Sequence, residues 1–426
     1  MNINFDTATF KEFENIEGLD PFERAAIFDD YARHKRQKGQ YNYRFKGLSG
    51  CGPEMEIDIL GNPNRSFVSL VSNDYLGFTQ HPKVKAAAIA SMEKYGTGAG
   101  ASPAIGGHFS FHEDLEQKIA GFYKREAAIT YTTGYTANSA SLQCLLKKED
   151  LAILDMSVHA SVYEGCQLTN MKTFPHNNLE ALEHVLKISK DTYRTRMVII
   201  DGVYSQDGDL APMDKISALC KAYGAYLMVD DAHGIGVIGK TGRGVIELYD
   251  LFKEVDIITG TFSKTLGHIG GYLVSSSKLV DYLKYQSRQH IFSSTASPAS
   301  ACIVKSIELI DEEPQWMHKL WDNIDYLKTG LESLGLKLGP TESAIIPVKI
   351  GDIGLNGDVC TALLQAGIYT NQINYPAVAR KDARIRMSVM ASHNHHQLDR
   401  VLNAWEWVAK KMKITVNDKT LNEQTI

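Results

Sequence analysis

"AYLMVDDAHG", residues 225–234, runs from five apolar positions into two carboxylates and a histidine. An unbroken apolar run of this length, stopped by polar residues and glycine, is the pattern of a strand buried on both faces. The pattern recurs in "EAAITYTT" (126–133), "DLAILDM" (150–156), "RMVIIDGVYS" (196–205) and "VDIITGTFSK" (255–264). Helical patterns such as "LEALEHVLKIS" (179–189) and "MDKISALCKAYG" (213–224) separate these runs. Alternation of this kind predicts a mostly parallel sheet with helices on both faces. Ligands of such sheets sit beyond the carboxyl ends of the strands, so Asp201, Ser205, Asp230, His233 and Lys264 are expected to face one crevice.

Working outward, "DPFERAAIFDDYARHKRQKG" (20–39) predicts a helix, with Asp20 as N-cap, Pro21 at the first helical position and Glu23 closing a capping box. Glycine and proline then mark short strands and turns. Beyond residue 300 one long helical stretch leads into a smaller α+β region. The expected division is 1–65 (N-terminal helix and short strands), 66–305 (large domain), 306–413 (small C-terminal domain) and 414–426 (polar tail).

The chain has 426 residues, 44% hydrophobic and 22% charged, with 45 basic against 50 acidic residues. These values describe a folded globular protein and argue against a nucleic-acid or anionic-membrane surface. The start carries acidic residues and no apolar core, and no apolar run reaches membrane-spanning length, so a cytoplasmic protein without a transmembrane segment is expected. The six cysteines are scattered without metal-ligand spacing, and most read as buried reduced thiols. "HNHH" (393–396) reads as a solvated loop or helix start rather than a metal site.

Asp230 is costly to bury at a strand end without a cation or donor, and a protonated pyridine nitrogen is one such partner; a helix N-cap is the plainer reading. Lys264, an amine among small residues with Thr261 nearby, has the setting of a Schiff-base nucleophile. Thr133, Gly134 and Tyr135 occupy a strand-to-helix turn, suited either to phosphate or to an ordinary N-cap. His159 is either a core histidine or a ring that stacks on a cofactor. The glycine-rich "GTGAGASPAIGG" (96–107) follows a helix rather than a strand, so it reads as a loop lining a site and not as a dinucleotide fingerprint.

These motifs, in order from "SNDYLGF" (72–78) through "TTGYTAN", "VHAS", "DGVYSQDGDLAP", "VDDAHGIGVIGKTGRG", "TFSKTLG" and "FSSTASP" to "INYPAV" and "RIRMSVMASH", resemble the α-oxoamine synthase family. The resemblance implies a fold-type I pyridoxal 5'-phosphate (PLP)-dependent transferase, with a central sheet of the seven-stranded type and a smaller C-terminal domain. It implies that Lys264 forms the Schiff base, Asp230 pairs with the pyridine nitrogen, His159 stacks on the ring, and Ser205 and His233 contact its phenolic oxygen. Phosphate would be held by Thr133, Gly134, Tyr135 and Thr261, with Ser294 and Thr295 reaching across from the partner in a homodimer. Asn73 and Arg386 would serve the substrate, Arg386 through the amino-acid carboxylate.

The implied reaction is decarboxylative condensation of a small amino acid with an acyl-CoA or acyl-carrier-protein thioester. The main expectation is a long-chain-base type, taking serine or cysteate and a fatty acyl group. The alternative is an 8-amino-7-oxononanoate synthase or 2-amino-3-ketobutyrate ligase type, and a third possibility is a binding protein that keeps the fold without chemistry. Where several family members carry arginine in the glycine-rich loop, this chain has Ser102-Pro103-Ala104 and then His108, which is either a loop residue or a reader of an extra polar group such as a sulfonate.

Overall fold

The computed structural model describes residues 3–59 and 65–415. The chain divides into two compact units: one gathers the described residues up to Ser72, Gln206–Gly208 and those from Leu320 onward, and the other holds Asn73–Ser205 and Asp209–Lys319.

The second unit is built on a seven-stranded sheet. Its strands in chain order are β1 (Ala127–Tyr131), β2 (Leu151–Asp155), β3 (Asn170–Phe174), β4 (Arg196–Asp201), β5 (Tyr226–Asp230), β6 (Ile257–Thr261) and β7 (Gly271–Ser275). They lie in the order β1-β7-β6-β5-β4-β2-β3, all parallel to their neighbours except β7, which runs antiparallel to both β1 and β6. Every residue of β2, β4, β6 and β7 is buried. That burial explains why these strands read as continuous apolar runs rather than alternating ones. On one face Leu142, Val162, Val280 and Leu283 from three helices close over Ile129, Leu154 and Ile199 of the sheet. β2, β4 and β5 each end in aspartate, and the register sets Asp201 beside Asp230.

In the other unit Asp20 accepts from the amides of Phe22 and Glu23 at 2.8 and 2.9 Å, capping helix Pro21–Gln37 as the sequence predicts. Strand Ser66–Ser69 pairs antiparallel with Glu54–Asp58 and parallel with Ile368–Tyr369, so N-terminal and C-terminal stretches share one sheet. A separate three-stranded antiparallel sheet places Ala383–Ser388 between Ile345–Gly351 and Asn371–Ile373.

Two expectations need correction. The single long helical stretch after residue 300 is two helices, Cys302–Glu312 and Gln315–Ser333, because Pro314 cannot continue the first and disfavours helical geometry at Glu313. His393 is not solvated: it is fully buried, its Nδ1 accepting from the Met390 amide at 3.0 Å and its Nε2 lying 3.0 Å from the Ser69 carbonyl. His395 and His396 do begin the last helix, capped by Asn394.

Candidate active site

A cavity of about 220 Å³ opens at the carboxyl ends of the parallel strands. It is lined by ten of the residues picked out by sequence: Thr133, Gly134, Tyr135, His159, Asp201, Ser205, Asp230, His233, Thr261 and Lys264. They arrive from five separate strand ends, which a doubly wound sheet brings together and the linear sequence does not.

One wall is the start of helix Gly134–Leu145. Thr133 caps it, its hydroxyl accepting from the Thr136 amide at 3.0 Å, so the first amides point outward without helical partners. Residue 134 must be glycine: a Cβ there would lie 2.6 Å from Thr261 Cβ and 3.0 Å from its hydroxyl. Thr261 is buried, donates to the Gly270 carbonyl at 2.9 Å and lies 2.7 Å from Ser263 Oγ. Amides, a helix N-terminus and hydroxyls in one corner constitute an anion cradle.

The floor is Asp230. Its Oδ2 accepts from Asn138 Nδ2 at 2.6 Å and its Oδ1 from the Ala232 amide at 3.0 Å. Asn138 also donates to Ser161 Oγ at 3.0 Å, and Ser161 lies 2.8 Å from Nδ1 of His159, so floor and ring are tied through one amide. Desolvation in the cleft is the largest influence on His159 and lowers its pKa, with Asp230 pulling upward and Lys264 downward. The ring is therefore the neutral, stackable form. Tyr135 meets it edge-on at 5.9 Å.

Two further carboxyls crowd Asp230. Asp201 is raised well above the usual carboxylate range, first by burial and then by the charge of Asp230. Asp231 is fully buried and pushed up to about 8, again chiefly by burial. It contacts Tyr123 Oη at 3.3 Å and the Val245 amide at 3.4 Å, and Tyr123 continues to Tyr272 at 2.9 Å. Of the three carboxyls, Asp230 is the one that accepts two hydrogen bonds within 3.0 Å.

Opposite lies Lys264, whose Nζ is 2.8 Å from His233 Nε2, while His233 Nδ1 is 2.6 Å from Tyr75 Oη. Asn73 joins this chain through Tyr75 at 3.3 Å. Three further sequence candidates of this unit, His108, Ser294 and Thr295, do not line this cavity. His108 sits 3.4 Å from Glu113 and stacks on His112, Ser294 and Thr295 line a separate cavity with Pro103 and Arg288, and Arg386 belongs to the other unit, bonded to Ser388 at 3.0 Å.

The donor set suits PLP: an amide-lined anion corner closed by a mandatory glycine, an acid floor for a ring nitrogen, an imidazole to cover the ring and an amine within the same small cavity. Sequence reading passed over Asn138, Tyr75 and Asp231 as site residues. For Asn138 a signal exists, since it stands one turn after Gly134 on the same helix face. Tyr75 and Asp231 look like core residues until the fold is seen.

Fold and cleft together define a fold-type I PLP-dependent transferase. The family model for aminotransferase class I and II matches residues 65–404. The chain is 42% identical over 354 residues to an 8-amino-7-oxononanoate synthase of Bacillus pumilus, covering 82% of this chain and 90% of that protein. It is 38% identical over 392 residues to the enzyme of that name from Thermosipho melanesiensis, covering 91% and 99%. Among solved structures it resembles the serine palmitoyltransferase of Sphingomonas wittichii with a TM-score of 0.88 and 31% identity, over 93% of this chain and all of the other. The chain belongs to the aminotransferase class I and II family and, within it, to the α-oxoamine synthases, PLP-dependent acyltransferases.

Proposed function

We propose that the protein is an α-oxoamine synthase of the 8-amino-7-oxononanoate synthase type, condensing alanine with a seven-carbon dicarboxylic acyl thioester. The observation that carries this reading is the 37–42% identity to enzymes of that name, sustained over 82–91% of the chain. The product name dictates the substrates: the methyl, the Cα and the amine come from alanine, and the remaining carbons form the acyl part. In the balanced reaction, amino acid, acyl thioester and one proton give aminoketone, carbon dioxide and free thiol.

When bound, PLP supplies an aldehyde that exchanges amines and a protonated ring that takes up the electron pair left at Cα. Asp230 holds the ring nitrogen, the amides of Gly134 and Tyr135 with Thr133 and Thr261 hold phosphate, and His159 covers the ring. Ser205 and His233 fix the ring edge. Lys264 Nζ carries the proton to and from Cα. Arg386 would bind the amino-acid carboxylate bidentately. A homodimer in which the partner subunit supplies hydroxyls to the phosphate, and a cytoplasmic location, complete the reading; no described helix is long and apolar enough to cross a membrane.

The long-chain-base reading keeps one specific support: the serine palmitoyltransferase of Sphingomonas wittichii aligns with 93% of the chain at a TM-score of 0.88. An acyl-length series decides between them. Thiol release with alanine and an ω-carboxylated C7 thioester, weak with palmitoyl thioester and absent in Lys264→Ala, is the expected result. Turnover confined to C14–C18 acyl thioesters with serine or cysteate would replace this reading with the other, and His108→Ala would then show whether the cysteate/serine ratio depends on His108.

A further inference from the structure

Every residue lining a further cavity, of about 660 Å³, belongs to the unit that lacks the seven-stranded sheet. Its volume falls within the range of small-ligand sites, about 300–1,000 Å³, and none of its residues has a part in the chemistry described above. Every charged residue that lines it is an arginine: Arg36, Arg44 or Arg65. Four rings, those of Tyr41, Tyr43, Phe45 and Phe67, supply much of the remaining wall.

The segment that carries most of these side chains is fixed in place. Asn42 is buried and donates to Thr361 Oγ1 at 3.0 Å, and Gln40 donates to Asp358 at 2.7 Å, so residues 40–42 are tied to helix Ile353–Gln365. Arg44 follows with φ 57°, a left-handed backbone that arginine adopts only at a cost, so the surrounding fold holds it there. The Arg36 guanidinium lies 4.7 Å from the centre of the Tyr41 ring, and that of Arg65 lies 5.1 Å from the centre of the Phe67 ring. Stacking holds a guanidinium by its face and leaves N–H groups on its edge for a ligand. Arg65 also donates to the Gln365 carbonyl at the end of the helix.

The chain carries a formal net charge of -5, yet among the described residues none of these three arginines forms an ion pair, and no carboxylate lines the cavity. Cations that face one cleft without counter-charge repel one another and concentrate anions there. A monoanion such as a fatty carboxylate answers one of the three; a diphosphate answers all of them through charge-assisted, bidentate contacts. The four rings match a planar ring better than an acyl chain, because aromatic faces stack on one another. We infer that this cavity binds a nucleoside diphosphate moiety, with the phosphates on Arg36, Arg44 and Arg65 and the base against the rings of Tyr41, Tyr43 and Phe45. The moiety occurs both as a free nucleotide and as the end of coenzyme A, and the same contacts hold either.

The site is independent of the acyl-transfer reading, since no residue of the cavity takes part in that chemistry. Full-length, PLP-loaded protein freed of excess PLP is irradiated with 8-azido-ADP, and the label is mapped by peptide mass spectrometry. Competitors are ADP, coenzyme A, adenosine, pyrophosphate and decanoate. Label should fall within 36–45, 65–67 or 361–365. ADP should protect, while adenosine and pyrophosphate, each with half of the moiety, should protect about tenfold or more weakly. Protection by coenzyme A equal to that by ADP would make the coenzyme an occupant; its absence would leave the free nucleotide, and either result upholds the site. Arg36→Gln and Arg44→Gln replace exposed side chains, so the fold should survive. Each should weaken ADP protection about tenfold or more, the effect of losing a hydrogen bond to a charged group. Arg33→Gln, on the same helix as Arg36 but paired with Asp29 and Asp30 outside the cavity, should change nothing. Label elsewhere, label unaffected by both substitutions at Arg36 and Arg44, or pyrophosphate or decanoate competing as well as ADP would overturn the inference.

Discussion

Asp231→Asn should make the protein more stable at neutral pH, although it removes a buried residue beside the cofactor floor. In the fold, burial keeps the Asp231 carboxyl protonated up to about pH 8, whereas its ordinary value is 3.8. Between those values the unfolded chain gains free energy by releasing a proton that the folded chain retains, so this group lowers stability as pH rises from about 4 to about 8, with no further loss above that. At about 1.4 kcal/mol per pH unit, the ceiling at pH 7 is about 4 kcal/mol. Relaxation and water penetration should bring the realised gain to about 2–3 kcal/mol. Asparagine reproduces the neutral acid: its oxygen can accept from the Val245 amide, and its NH₂ can donate to Tyr123 Oη, 3.4 and 3.3 Å away in the wild type. The tight contacts to Gly234 and Gly244 are kept because the side chain is the same size. The assay is urea unfolding of both proteins from pH 4 to 9, comparing differences in midpoint. The variant should gain on wild type steadily up to pH 8, with cofactor binding retained. A pH-independent difference, or a variant less stable at pH 7.5, would refute the assignment of a neutral buried acid.

Gly134→Ala would drive a methyl to 2.6 Å from Thr261 Cβ and prise the helix start from the phosphate corner. At about 1–3 kcal/mol for overpacking, spectrophotometric titration with PLP should show binding about 5- to 160-fold weaker while the fold survives. His176 bridges Asp155 at 3.1 Å and Asp209 at 2.9 Å, and those carboxylates hold it protonated to about 10 despite opposing desolvation. Its stabilisation is full below about pH 6.5 and is lost as pH rises towards 10. His176→Gln should therefore cost about 3–5 kcal/mol at pH 6, a deficit that chemical unfolding should find shrinking to little by pH 10.

What the sequence revealed and what it withheld follow from one physical distinction. Strands buried on both faces announce themselves by composition, and their polar C-terminal residues announce the crevice, so Asp230, His233 and Lys264 were legible without coordinates. Proximity across the sheet was not. Tyr75 is 158 positions before His233, and an aromatic in "SNDYLGF" looks like core. Asn138 sits inside a helix, where nothing local shows that its amide reaches Asp230. His393 was misread because a histidine among polar residues carries no mark of the strand carbonyl that buries it. The break at Pro314 was legible in principle, since a residue before proline resists helical geometry.

The reversed strand β7 has a consequence for what length changes this fold can accept. Lys264 lies in the return between β6 and β7, pinned where Phe262 donates to Gly270, His268 to Phe262 and Gly267 to Lys264. β7 is flanked on both sides, by β1 and β6, so it cannot slide to absorb an added residue. A length change between 262 and 270 therefore strains the return that carries Lys264, and if it forced β7 to shift by one residue every β7 side chain would turn to the opposite face. In that case a one-residue deletion would put the Tyr272 side chain where Gly271 now lies, a place whose Cβ would be 2.3 Å from the Thr133 carbonyl. The lysine loop can therefore vary in sequence far more freely than in length, and a single indel there would disable the phosphate corner and the reactive amine together.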